Sequence, residues 1–87
     1  MTLTCNFGPI LDLSAGGMRV IAKKPLSGVQ TIHLEGPGID QSLKATVAWA
    51  KKISFRTFEI GFKFIHPPAT REVMEWIAIW SAHRPAA

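Results

Sequence analysis

Most of the chain alternates apolar and polar residues with period two, and only its C-terminal segment changes to helical spacing. The cleanest alternation is 42–50, where Leu43, Ala45, Val47 and Trp49 share one face and Lys44, Thr46 and Ala48 the other. Segment 58–64 repeats the pattern, with Phe58, Ile60, Phe62 and Phe64 inward and Glu59, Gly61 and Lys63 outward. Shorter strands are predicted at 2–7, 10–14, 18–22 and 29–35, punctuated by Gly8-Pro9, by Gly16-Gly17 and by the turn cluster GPGID at 36–40. The pair 10–14 and 18–22 reads as a hairpin. Segments 23–28 and 51–56 read as connections.

After His66-Pro67-Pro68 the period lengthens. Val73, Trp76, Ile77 and Trp80 stand at i, i+3, i+4 and i+7, one apolar helical stripe. Thr70 suits the N-cap, Glu72 the positive end of the helix dipole, and His83-Arg84 the negative end before Pro85. Short strands followed by one helix predict a mainly β fold: a single small antiparallel six-stranded barrel over about 2–65, with a C-terminal helix over about 69–82. The whole of 1–87 is expected to form one domain. The two-tryptophan stripe either closes an open end of the barrel or forms a homodimer surface, and the pattern leaves both open.

Composition changes this picture modestly. Of 87 residues 47% are hydrophobic, enough for a compact core, and the net charge of +4 suits an anionic partner. Lys23-Lys24 and Lys51-Lys52 are the only adjacent basic pairs, and solvated strand ends explain such pairs more often than a binding stripe does. The single Cys5 excludes an internal disulfide. No secretory signal and no apolar run of membrane-spanning length is present, so a soluble cytoplasmic protein without membrane insertion is expected.

Catalytic and metal chemistry find little support. Cys5, His33, His66 and His83 are dispersed, without the close pairs that zinc sites use, so no metal site is expected. Ser14 lies in DLSAG, with Asp12 where a nucleophile elbow needs glycine. No phosphate loop, dinucleotide fingerprint or acid–base pair of carboxylates stands out, so the chain reads as no enzyme and no cofactor is expected.

Asp12-x-Ser14-x-x-Gly17 is different. On a strand, i and i+2 project from one face, so carboxylate and hydroxyl point together while Leu11 and Leu13 face the core. Gly16 and Gly17 permit positive φ and keep side chains clear of the strand end. The group makes either a notch, whose carboxylate accepts from the N1–H and amine of a guanine, or a tight turn bonded to its own backbone.

The order of these features resembles that of the PilZ domain, a small bacterial barrel associated with cyclic di-GMP signalling. The family motif D/N-x-S-x-x-G is matched by DLSAGG, placing Asp12, Ser14 and Gly17 position by position. It continues with GMRV (17–20), a strand carrying V-x-W as VAW (47–49), and x-I-G-x-x-F as EIGFKF (59–64), then a helix. The resemblance spans about residues 8–82. It implies a non-catalytic bacterial signalling module with cyclic di-GMP as candidate ligand, and a nucleotide site comprising Asp12, Ser14, Gly16, Gly17 and Arg19. Receptors of this family also carry R-x-x-x-R ahead of the first strand, whereas residues 1–11 here contain no Arg or Lys. Two missing charge-assisted contacts of ~1.5–3 kcal/mol each would weaken binding by roughly two to four decades. Arg19, Lys23 and Arg56 are the candidate substitutes; Arg19, alternating with Met18 and Val20, is expected to face away from the core.

The expectation is therefore weak or lost dinucleotide binding and a protein-interaction adaptor role. Members without the arginine motif are associated with pilus, flagellar or exopolysaccharide machinery. The alternative is a genuine receptor whose arginine segment is missing or replaced. An OB-like nucleic-acid-binding barrel is more remote, because the alternation turns most aromatics inward.

Overall fold

In the computed structural model the described residues are 3–66 and 71–82, with the side chains of 72 and 80–82 excepted. Six strands form one antiparallel sheet: β1 (Thr4–Cys5), β2 (Ile10–Leu13), β3 (Gly17–Ala22), β4 (Val29–Gly36), β5 (Ile39–Ser54) and β6 (Thr57–Phe64). The helix α1 (Arg71–Ala82) follows. Strand order is β1-β4-β5-β6-β3-β2. The edge strands β1 and β2 are separated in the chain only by residues 6–9, so the sheet must curl until its edges approach. A bridge between Cys5 and Gly8 turns the chain across that seam, and Ile21 N–H donates to the Pro9 carbonyl at 2.9 Å, extending the β2–β3 pairing. The result is the expected mainly β architecture, a nearly closed six-stranded barrel with one C-terminal helix.

The core lies inside the curl. Val20, Ile32, Leu34, Ala45 and Ile60 are fully buried, joined by Leu13, Met18, Phe62 and Phe64. From the helix, Val73 and Trp76 enter the same core and Ile77 packs against it. The stripe thus seals the barrel interior, and Trp76 is a core residue rather than an exposed contact. Thr70 and His83–Pro85 lie outside the described residues, as do the side chains of Glu72 and Trp80.

Register shifts occur between Ile10 and Asp12, between Val47 and Trp49 and between Lys52 and Ser54, and the first two correct the simple alternation. Ile10 pairs with Val20 but Asp12 with Arg19, so Leu11 is an extra residue in β2. It is 38% exposed, against 4% for Leu13, although both were expected in the core. The extra residue flips the phase between them. Leu11→Ser should therefore change stability by no more than about 0.5 kcal/mol in a urea titration. A loss above about 2 kcal/mol would place Leu11 back in the core. The second bulge lies in β5: Val47 pairs with Phe62 and Trp49 with Gly61. Trp49 consequently leaves the face of Ala45 and Val47 and is 42% exposed.

β5 also runs further than the alternation suggested. Residues 51–54, expected in a connection, continue the strand, and β6 begins after only Phe55 and Arg56.

Candidate functional site

The register places the motif residues in one row across the outer face of the sheet. Asp12 on β2 pairs with Arg19 on β3, Arg19 with Gly61 on β6, and Gly61 with Trp49 on β5. Directly paired residues share a face, so carboxylate, guanidinium, bare glycine and indole stand side by side. The Trp49 ring occupies the space that a Cβ on Gly61 would need. The glycine thus lets the indole lie flat on the sheet, and the β5 bulge turns it outward.

Arg19 faces away from the core, as expected, and it is not merely solvated. Its Nε donates to Asp12 Oδ2 at 2.8 Å, and its Nη2 lies 2.8 Å from the same oxygen. Nη1 donates to Glu59 Oε2 at 3.2 Å. These partners raise the Arg19 pKa above its ordinary value, the Asp12 hydrogen bond contributing most and its charge next. The guanidinium is therefore charged at any physiological pH.

Beyond the row, the β2–β3 turn is closed by its own backbone. Ser14 N–H donates to the Gly17 carbonyl at 2.8 Å, and Ser14 Oγ donates to the same oxygen at 3.3 Å. The turn reading of Ser14 thus holds for its hydroxyl proton and its amide, while the oxygen lone pairs stay exposed. The Gly16 carbonyl accepts from Phe64 N–H at 2.9 Å, which ties the turn to β6. Neither Gly16 nor Gly17 uses the positive φ that glycine permits. Gly17 is constrained by space instead, because a Cβ there would run into the Phe62 carbonyl.

Together these residues border an open groove of about 330 Å³, lined among others by Asp12, Ser14, Arg19, Trp49 and Lys63. That volume is at the low end for small-molecule sites. All five expected site residues, Asp12, Ser14, Gly16, Gly17 and Arg19, line it. Lys23 and Arg56, named as substitutes for the missing arginines, do not. Trp49 and Lys63 do, and were missed: the first needed the bulge and the second the β3–β6 register, in which Lys63 pairs with Gly17.

A second cluster also escaped the spacing argument. His33, Glu35 and Asp40 bring ligand-type atoms within 4.8 Å of one another across the β4–β5 turn. His33 Nε2 lies 2.7 Å from Asp40 Oδ1 and 3.5 Å from Glu35 Oε1, and Ser42 Oγ lies 3.0 Å from Nδ1. The group sits at the surface, and these polar contacts account for its arrangement.

A curled six-stranded barrel with a carboxylate, hydroxyl and glycine at the first hairpin, and a bulge-displaced tryptophan beside them, defines a small binding module. The PilZ domain family matches the chain over residues 6–78, and the chain belongs to that family. No curated protein and no solved structure matches it. Membership places the chain in the cyclic di-GMP pathway as a module of a non-catalytic binding family. Among the described residues no helix is long and apolar enough to cross a membrane.

Proposed function

We propose that this PilZ domain works in the bacterial cytoplasm as a protein-interaction adaptor of the cyclic di-GMP pathway, with weak or lost dinucleotide binding by these residues. The observation that carries the reading is the Arg19–Asp12 pair. A guanine read by Asp12 needs the carboxylate as acceptor, and Oδ2 already accepts from two guanidinium nitrogens. A guanine bonded across both carboxylate oxygens would compete at Oδ2 with a charged donor, which weakens its hold. The cations of the groove, Arg19 and Lys63, are also matched in number by Asp12 and the adjoining Glu59, leaving no net attraction for a doubly anionic ligand. With Trp76 in the core, the protein-facing surface on the helix would centre on exposed residues such as Met74.

The second reading, a receptor with replaced arginines, draws on the same Arg19. Swung off Asp12, it would present a guanidinium to a phosphate or a purine face. Calorimetry separates the two. The adaptor reading expects no measurable heat with cyclic di-GMP at ~100 µM. Micromolar binding abolished by Asp12→Ala would replace it with the receptor reading.

A further inference from the structure

The β5–β6 hairpin extends past the barrel as a finger. Every residue from Ala48 to Arg56 is exposed, and the last β3 pairing is Ala22 with Phe58, which itself pairs with Lys52, so residues 53–57 run beyond their neighbour. At the tip, Phe55 is 76% exposed and Ile53 47%. Two such apolar side chains on a convex tip carry a solvation cost that folding does not remove.

Charge gathers around the same tip. Arg56 lies on the finger, Lys51 and Lys52 stand at its base opposite Glu59 and Phe58, and Lys23 and Lys24 follow directly after the end of β3 beside them. That is half of the ten basic residues of the chain. The nearest carboxylate along the finger is Glu59, which Arg19 engages. The Arg56 guanidinium stacks 5.1 Å from the Phe55 ring centre, so charge and apolar surface are presented together. Arg56 holds a left-handed φ of 54°, a position that glycine would take with less strain.

We propose that this finger docks on an anionic lipid surface, with Phe55 and Ile53 at the headgroup–acyl boundary and the five basic side chains among the acidic headgroups. The convex shape favours lipid over a folded partner. A rigid partner needs a matching pocket for the tip, whereas a fluid bilayer closes around it. A single-stranded nucleic acid would need a groove lined with aromatics, and the tip carries one aromatic ring. The contact is peripheral, since nothing in the finger spans a bilayer, and it holds whether or not the groove takes a nucleotide.

Co-sedimentation of the full chain with vesicles tests this. Vesicles of phosphatidylcholine with about one third phosphatidylglycerol should bind, and pure phosphatidylcholine should not. Lys51→Ala/Lys52→Ala should weaken binding about 25-fold, at about fivefold for each basic residue. Phe55→Ser, which leaves the charge unchanged, should weaken it roughly tenfold. Circular dichroism of each variant confirms that these exposed substitutions leave the fold intact. The proposal fails if anionic vesicles do not retain the wild type. It fails equally if Phe55→Ser binds as well as wild type, since charge alone would then explain the contact. Retention of an oligonucleotide without retention of anionic vesicles would assign the finger to nucleic acid instead.

Discussion

Trp76→Ala is expected to destabilise the domain by about 3–5 kcal/mol, the range for truncating a large aromatic in a core. Trp76 is 6% exposed and shares the barrel core with the fully buried Val73. Removing the indole opens a cavity between the helix and the sheet that neighbouring side chains cannot fill without leaving their rotamers. For a domain of this size the midpoint of thermal unfolding should fall by roughly 15–30 °C, a large share of the stability such a domain has. Met74, on the same helix and 46% exposed, supplies the contrast. Met74→Ala should stay within about 0.5 kcal/mol of wild type. Scanning calorimetry of the two variants reads both values. Similar small shifts for both would mean that the helix rests on the barrel without sealing it.

The second large effect belongs to Gly17. A Cβ at this position meets the carbonyl oxygen of Phe62, a backbone atom of the adjoining strand. A side chain could swing away, but this oxygen is held in the sheet, so Gly17→Ala must push β3 from β6. We expect a loss of about 3 kcal/mol, the upper part of the range for overpacking a well-filled site. Gly16→Ala is the control. Nothing lies within 4 Å of a Cβ there, and its φ is not positive, so the change should be nearly neutral. Guanidinium titrations of the adjacent variants should therefore separate sharply in midpoint at a similar slope. Equal midpoints would show that the strands part at no cost.

Much of this architecture is legible in the residues. The alternation of 58–64 places Phe58, Ile60, Phe62 and Phe64 inward because β6 is paired on both sides from Phe58 to Lys63 and carries no inserted residue. The 3.6 spacing of Val73, Trp76 and Ile77 marks the helix face that enters the core. Where the reading failed for Leu11 and Trp49, a single inserted residue was responsible. Each stands just past or within a bulge, and a bulge leaves no mark in a two-residue period. Residues 51–54 read as a connection because their side chains meet no core, yet backbone pairing to β6 is enough to keep them extended. The groove was legible in pieces: Asp12, Ser14 and Gly17 in one motif, Trp49 and Gly61 in two others. What joins them is cross-strand register, which sets Arg19 opposite Asp12 and Gly61. The same property brings His33 and Glu35 to Asp40, and no spacing rule along one strand reaches it.

The strand order has a consequence for how the chain reaches its fold. Hairpin β2–β3 and the meander β4–β5–β6 are each built from neighbours in sequence, and they meet along β3–β6. Between the paired residues Ala22 and Phe58 lies the whole of β4 and β5. The local hairpins close cheaply, but this junction must first overcome the entropy of a long loop, so it is expected to limit the folding rate. Gly17 sits on that junction, so its substitution should slow refolding more than it speeds unfolding. The glycine is then as much a determinant of how fast the domain assembles as of how firmly it holds.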